Sequence, residues 1–265
     1  MSRHGGIDLP DTGERTHPPK PGERPSLWWT RHLARYEFAA RQASLGARVL
    51  DDGCGTGYGT ALLAERLRGT TVGVDVSEDA IGFARGSFAS PDVRFEVADA
   101  ARLPFEDAVF ELVVSVEVVE HLERQEAYLD EARRVLVPGG TLVLTTPNGT
   151  WMREAGHPEN PFHTHEFSHD ELGDALRARF GDVVVYGESV ADADAEGYQA
   201  RVDGIRSRLP GPLKALTTRL RPDGLVVRLA RAVLVGGPPP LRVEDVIFSE
   251  DGAKGAAYFL AVGRR

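Results

Sequence analysis

The 265-residue chain has one cysteine, Cys54, and a single thiol cannot build an intrachain disulfide framework. It also lacks any apolar run of the roughly 18 residues that a membrane-spanning helix needs. The first 25 residues, MSRHGGIDLPDTGERTHPPKPGERP, contain no apolar signal core. A surplus of positive charge is missing too. With 31 Lys and Arg against 40 Asp and Glu, the net charge is −9, so broad affinity for nucleic acid is not the starting expectation. Together these absences predict a soluble protein in a reducing, cytoplasmic setting. What is present is ordinary for a globular protein, with 42% hydrophobic and 27% charged residues. The length suits one large domain, or one domain with an elaboration.

Residues 1–25 are rich in Pro, Gly and charge and read as a mobile arm. SLWWTRHLARYEFAARQA follows, with apolar residues at helical spacing: Leu33, Tyr36, Ala40 and Ala43. Strand-like and helix-like segments then alternate. ARVLD, TTVGVD, VRFEVAD, FELVVSV and GGTLVLTT read as strands; GTALLAERL, SEDAIGFAR and EAYLDEARRVL read as helices. This alternation predicts a parallel sheet covered by helices on both faces. After Pro147 comes a loop rich in Pro, His and Gly, ending at SHDEL. There Ser168 and Glu171 have capping-box spacing, and Phe167 and Leu172 sit where a hydrophobic staple would. DVVVYGESV and AAYFLAV read as two further strands.

The stretch 191–247 shows no strand signal before DVIF. Arg201 to Arg231 holds eight Lys or Arg against Asp203 and Asp223, a local excess of basic charge. It reads as a solvated helical insertion, with a lid or a basic phosphate-facing surface as the functional alternative.

RVLDDGCGTGYG links the first strand to the first helix of the alternating pattern. Gly53, Gly55 and Gly57 let the backbone turn tightly and approach a ligand. A dinucleotide loop would have G-x-G-x-x-G spacing. Here the spacing is G-x-G-x-G behind an acid, Asp51, which discourages a phosphate and suits a cationic amine. Asp75 and Asp99 end the next two strands, where open α/β sheets bind ligands. Each alone is equally a helix cap or turn residue. Taken in order, the three acids fit a ligand with an amino acid at one end, ribose in the middle and adenine at the other. S-adenosylmethionine has that layout.

VLDDGCGTGYG, VGVD, VADA, SVEVVEHL and RVLVPGGTLVLTTPN resemble the sequential motifs of class I S-adenosylmethionine-dependent methyltransferases. The resemblance covers residues 26–190 and the last strand. It implies a Rossmann-like, seven-stranded, mostly parallel sheet with an antiparallel last strand, and a helical insertion before that strand. The core would be 26–190 with 248–265, and 191–247 the insertion or lid. By resemblance, Asp51, Gly53, Gly55 and Gly57 cradle the methionine part, Asp75 holds the ribose, and Asp99 with Ala100 frames the adenine. The same resemblance implies that Val76 and Val116 contact the cofactor. Asp52 stands where such enzymes usually carry an apolar residue. Cys54 reads as a small buried filler.

VVSVEVVEHL sets Glu117, Glu120 and His121 after the fourth strand. Their spacing would place all three on one face of a helix start. Acids suit a helix N-terminus, but a charged His121 does not. The E-x-x-E-H pattern resembles that of ubiquinone-biosynthesis O-methyltransferases and small-RNA 2′-O-methyltransferases, where these residues and a later histidine hold a divalent metal. In NPFHTHEF, His163 is the candidate fourth ligand and His165 the runner-up, with Mg²⁺ or Mn²⁺ the fitting ions. His157, His165 and His169 otherwise read as exposed loop residues. Without a metal, Glu117 or His121 would serve as general base. The TTPN…NPFH…EF segment also resembles methyltransferases of sugar-handling and natural-product pathways. The expected reaction is methyl transfer to a small-molecule hydroxyl, or less readily an amine. The alternatives are a nicotinamide-dependent oxidoreductase, a non-catalytic cofactor binder, and an RNA 2′-O-methyltransferase.

Overall fold

The computed structural model describes Pro19 and residues 26–191 and 242–265. The 1–25 arm, apart from Pro19, and nearly all of the 191–247 insertion therefore lie outside the described residues. By internal contacts the chain divides into one unit of Met1–Ser189 with Phe248–Arg265 and a second of Val190–Ile247. In the second, the described residues include a short turn, Val243–Asp245, and Ala191 N donates to Asp245 O.

The strands are β1 (Val49–Asp52), β2 (Thr71–Asp75), β3 (Val93–Val97), β4 (Phe110–Val116), β5 (Leu136–Pro147), β6 (Val183–Val190), β7 (Val246–Ser249) and β8 (Tyr258–Arg264). They form one sheet in the order β3-β2-β1-β4-β5-β8-β6-β7. The pairings from β3 through β5 are parallel, and β8 runs antiparallel to both β5 and β6. The mostly parallel sheet and the antiparallel last strand agree with expectation. Among the described residues the sheet has eight strands rather than seven, because the DVIF segment contributes the edge strand β7. The direction of the strand order reverses at β1, between β2 and β4, and a crevice at that point is where such sheets bind ligands.

The helices are α1 (Leu27–Ala40), α2 (Tyr58–Leu67), α3 (Glu78–Phe88), α4 (Gln125–Val135), α5 (Gly149–Glu154) and α6 (His169–Arg177). Val49, Leu112 and Val114 pack with Tyr36 and Ala39 of α1 and Leu63 and Leu67 of α2. Leu50 and Val113 pack instead with Tyr128 and Leu129 of α4 and Leu172 and Leu176 of α6. Strands buried on both faces read as continuous apolar runs, which is why FELVVSV shows no alternation. None of the described helices is long and apolar enough to cross a membrane.

Local chemistry sets the helix ends around the cleft. Ser26 accepts from Trp29 N at 3.0 Å and starts α1. The capping box of α6 is complete: Ser168 Oγ accepts from Glu171 N at 3.3 Å, and Ser168 N donates to Glu171 Oε2 at 2.8 Å. Phe167 and Leu172 are buried in one cluster, as a staple requires. Asn148 is fully buried. It donates to Lys254 O and Ala256 O, and accepts from Thr150 N and Trp151 N. That side chain ties the end of β5 to the approach to β8 and caps α5.

One expected element is different. Glu117, Glu120 and His121 do not begin an α-helix. Val119–His121 is a single 3₁₀ turn, and α4 starts only at Gln125. Glu117 has left-handed backbone, φ 58°, a conformation that costs a non-glycine residue about 1–3 kcal/mol. The chain turns sharply off β4 there, so helical spacing does not govern where the three side chains point.

Candidate active site

The glycine loop follows β1. Gly53, Gly55 and Gly57 all have positive φ, at 82°, 53° and 85°. A Cβ on Gly53 would collide with Val118, so this glycine is required by the close approach of the turn that follows β4. Around Gly55 no atom lies within 4 Å of such a Cβ, and the backbone there is open to a ligand.

The three expected acids take different environments. Asp51 is fully buried. Its Oδ1 accepts from Tyr36 Oη at 3.2 Å and its Oδ2 from Thr60 Oγ1 at 2.6 Å. Burial pushes its carboxyl up to about 7, although the Thr60 and Tyr36 hydrogen bonds pull the other way. Asp51 thus ties the end of β1 to α1 and α2. Asp75, at the tip of β2, is half-buried; its Oδ2 accepts from Gly55 N at 3.0 Å and its Oδ1 from Ser77 N at 2.8 Å. Val76 beside it is 76% exposed, an apolar surface next to a carboxylate at the strand edge. Asp99 is exposed; its Oδ1 accepts from Ala101 N at 2.8 Å and Arg124 Nη2 reaches Oδ2 at 3.5 Å. Ala100 is half-buried. Val116 is buried at the end of β4. The open glycine backbone, the carboxylate tied to it and the exposed Val76 fit a nucleoside ligand with an amino-acid tail.

Asp52 is fully buried, and among the described residues neither carboxylate oxygen has a hydrogen-bond partner. Burial pushes its carboxyl up to about 8, and Asp51, Asp75 and Asp99 add to the shift. Cys54 is a buried free thiol. Burial, then Asp51 and Asp75, raise it well above the ordinary thiol range, which removes it as a nucleophile.

Beyond β4, Glu120, His121 and His163 place one donor atom each within 4.8 Å of one another. Glu120 is fully buried; among the described residues its Oε1 has no hydrogen-bond partner, while Oε2 accepts from Thr146 Oγ1 at 3.1 Å. Burial and then Glu117 push its carboxyl well up. His121 Nδ1 lies 3.1 Å from Phe162 O. His163 Nδ1 lies 2.6 Å from Glu166 Oε1, and its Nε2 lies 2.9 Å from Asn160 Nδ2. His157 and His165 are exposed, while His169 is half-buried at the start of α6.

Glu117 keeps other company. Its Oε1 accepts from Thr145 Oγ1 at 3.3 Å and lies 3.3 Å from Nη1 of Arg35. Burial raises the Glu117 carboxyl, and Arg35 opposes that rise. Arg35, on α1, is fully buried, and its Nε donates to Glu188 Oε2 on β6 at 2.6 Å. Its guanidinium lies 5.0 Å from the Tyr258 ring centre and 5.9 Å from that of Trp28. The sequence reading did not identify Arg35, Glu188, Tyr258 or Trp28. A signal existed for part of this set: Trp28, His32 and Arg35 stand at i, i+4 and i+7 on one helix face.

Comparison with known proteins identifies the chemistry that this cleft belongs to. Residues 50–144 match the methyltransferase domain family. A probable S-adenosylmethionine-dependent methyltransferase of Mycolicibacterium smegmatis is 37% identical over 193 residues, spanning 71% of this chain and 73% of that one. A fatty-acid O-methyltransferase of the same organism is 39% identical over 112 residues, 42% of this chain and 41% of that one. The solved structure of the [4+2]-cyclase SpnF superposes with a TM-score of 0.57 at 22% identity, covering 89% of this chain and 82% of that one. That last likeness establishes the fold alone. The Mycolicibacterium smegmatis relative, matched over 73% of its length, decides against the nicotinamide-dependent oxidoreductase. The chain belongs to the S-adenosylmethionine-dependent methyltransferases and is an enzyme of that family.

Proposed function

We propose that the protein methylates a hydroxyl group of a small molecule, a sugar-bearing or natural-product intermediate, with a divalent ion, Mg²⁺ or Mn²⁺, held by Glu120, His121 and His163. The observation that carries this is the buried Glu120 carboxylate, whose Oε1 has no hydrogen-bond partner among the described residues and which places an oxygen within 4.8 Å of imidazole donors on His121 and His163. A buried carboxylate oxygen without a partner is costly. A cation would satisfy it, and oxygen and imidazole donors suit Mg²⁺ or Mn²⁺. The Glu166–His163 contact is the kind of outer partner that orients a ligating imidazole. The O-methyltransferase among the relatives supports oxygen as the acceptor atom.

Asp75 would hold the ribose and Asp99 the adenine end of S-adenosylmethionine, with the glycine loop under the methionine part. The main barrier is a hydroxyl that is a poor nucleophile near neutral pH. A divalent ion, when bound, lowers the pKa of such a hydroxyl. Glu117 receives the hydroxyl proton as the oxygen attacks the methyl carbon. The carbon–sulfur bond breaks with its electron pair going to sulfur, leaving S-adenosylhomocysteine. Positioning by the cleft supplies much of the rest, because in-line approach at near-attack distance is worth about 7–11 kcal/mol. The reducing cytoplasm suits a chain whose lone thiol, Cys54, is buried.

Transfer of labelled methyl from S-adenosylmethionine to a panel of hydroxylated small molecules tests the reading. Each reaction is run with chelator and with added Mg²⁺ or Mn²⁺. The expected result is transfer to hydroxylated acceptors that the chelator stops and the ion restores. Transfer confined to amines, or indifferent to chelator, would refute it.

A further inference from the structure

The E-x-x-E-H acids are divided between two networks. Glu120 joins His121 and His163, whereas among the described residues Glu117 is not part of that donor group. Glu117 belongs instead to a chain of alternating charges that starts on α1. Arg31 Nε lies 3.3 Å from Glu188 Oε1, Arg35 Nε lies 2.6 Å from Glu188 Oε2, and Arg35 Nη1 lies 3.3 Å from Glu117 Oε1. The chain contains two cations and two anions. Among the described residues, Glu188 pairs with both arginines and Glu117 with Arg35 alone.

We propose that Arg35 is a positioning residue that withholds Glu117 from the metal cluster, so that the ion is held by one carboxylate and two imidazoles and Glu117 is kept for the acceptor. The inference rests on the metal reading above. The reasons are electrostatic and steric. Arg35 is fully buried, so its charge depends on fixed carboxylates, and burial, which would favour its neutral form, is overcome by Glu188 and Glu117. Moving Glu117 to the ion would leave a buried guanidinium with half its compensation. Tyr258 and Trp28 stand against the guanidinium, which limits its freedom to follow Glu117. The Glu117 side chain is 18% exposed while that of Arg35 is 0%, so the carboxylate is the member of the pair that faces the cleft.

Mn²⁺ binding, followed by electron paramagnetic resonance and calorimetry without any acceptor, provides the test. The proteins are wild type, Glu117→Gln, Arg35→Met and the double variant. Glu117→Gln alone is expected to change the Mn²⁺ affinity by less than about twofold. Arg35→Met is expected to tighten it by about fivefold or more, because Glu117 is then free to join the ion. Adding Glu117→Gln to Arg35→Met returns the affinity to the wild-type value, which a merely structural role of Arg35 would not produce. Arg35→Lys keeps the charge and stays near wild type. Weaker binding in Arg35→Met overturns the proposal, since Arg35 would then be orienting a ligand. Should Arg35→Met fail to fold, Glu117→Gln decides alone: a loss of about tenfold or more makes Glu117 a ligand and overturns the proposal. Wild-type protein that binds S-adenosylhomocysteine but no Mn²⁺ overturns the metal reading and this inference together. Mn²⁺ binding that is indifferent to Arg35→Met overturns this inference alone.

Discussion

The backbone N–H of Gly55 donates to Asp75 Oδ2 at 3.0 Å, joining two motifs that are twenty residues apart. The same carboxylate accepts from Ser77 N, so Asp75 fixes both the glycine loop and the entry to α3 before any ligand arrives. Its remaining lone pairs are those a ribose would use. Asp75→Ala removes the carboxylate proposed to hold the ribose and loosens the loop together. Charge-assisted hydrogen bonds are worth about 1.5–3 kcal/mol each, so affinity for S-adenosylhomocysteine should fall at least about tenfold. Calorimetry on the folded variant checks this, and unchanged affinity would remove Asp75 from the site.

Asp52 predicts a pH dependence of stability. In the folded protein its carboxyl is pushed up to about 8 by burial, against an unfolded value of about 3.9. Between those values the folded state binds more protons than the unfolded state. The contribution is therefore fully present below about pH 4 and is lost as pH rises through about 8. Asp52→Val removes the titration and two unpartnered oxygens, and should stabilise the fold at pH 8 by about 1–3 kcal/mol. Urea denaturation at pH 5 and pH 8 measures both effects. A wild-type midpoint that rises with pH over this range, or a destabilised Asp52→Val, would contradict the burial of an unpaired acid.

The glycine loop, the acids at the strand tips and the α6 capping box were legible in the sequence because each is local. A positive φ calls for glycine, a strand tip follows from an apolar run, and a cap reaches only three residues. The turn at Glu117–His121 was not legible, since the left-handed backbone at Glu117 falls on a residue type that gives no sign of it. The start of α4 was blurred for a related reason: Arg124 at its N-cap position makes no side-chain capping bond. Arg35 and Glu188 are 153 residues apart. Their pairing depends on β6 lying in the same sheet as β4, which helical periodicity in α1 cannot report. Four-residue β7 was visible only as DVIF, too short to change the expected strand count.

Cys54 should be inert in the native protein. It is 3% exposed, and burial raises its thiol well above the ordinary range. A maleimide or disulfide reagent should label it only after denaturation. Stoichiometric labelling of native protein on the timescale of a free thiol would show that the glycine loop opens far more than this packing allows.

The donor group at Glu120, His121 and His163 gives the most decisive experiment. If it holds an ion, excess chelator abolishes methyl transfer and Mg²⁺ or Mn²⁺ restores it. His121→Ala should then cut the rate strongly while cofactor affinity stays within about twofold, because the group lies beyond β4, whereas Asp75 and Asp99, proposed to hold the ribose and the adenine, follow β2 and β3. If His121 is instead a general base, the chelator has no effect and the rate falls as pH drops through about 6.5. If the residues only shape the turn after β4, neither chelator nor His121→Ala changes turnover by more than a few fold. The Glu120 Oε1 atom separates the first case from the other two: Glu120→Gln should abolish the chelator-sensitive activity, because an amide offers a weaker and uncharged oxygen to the ion. Full activity in excess chelator would end the metal reading, whatever the variants show.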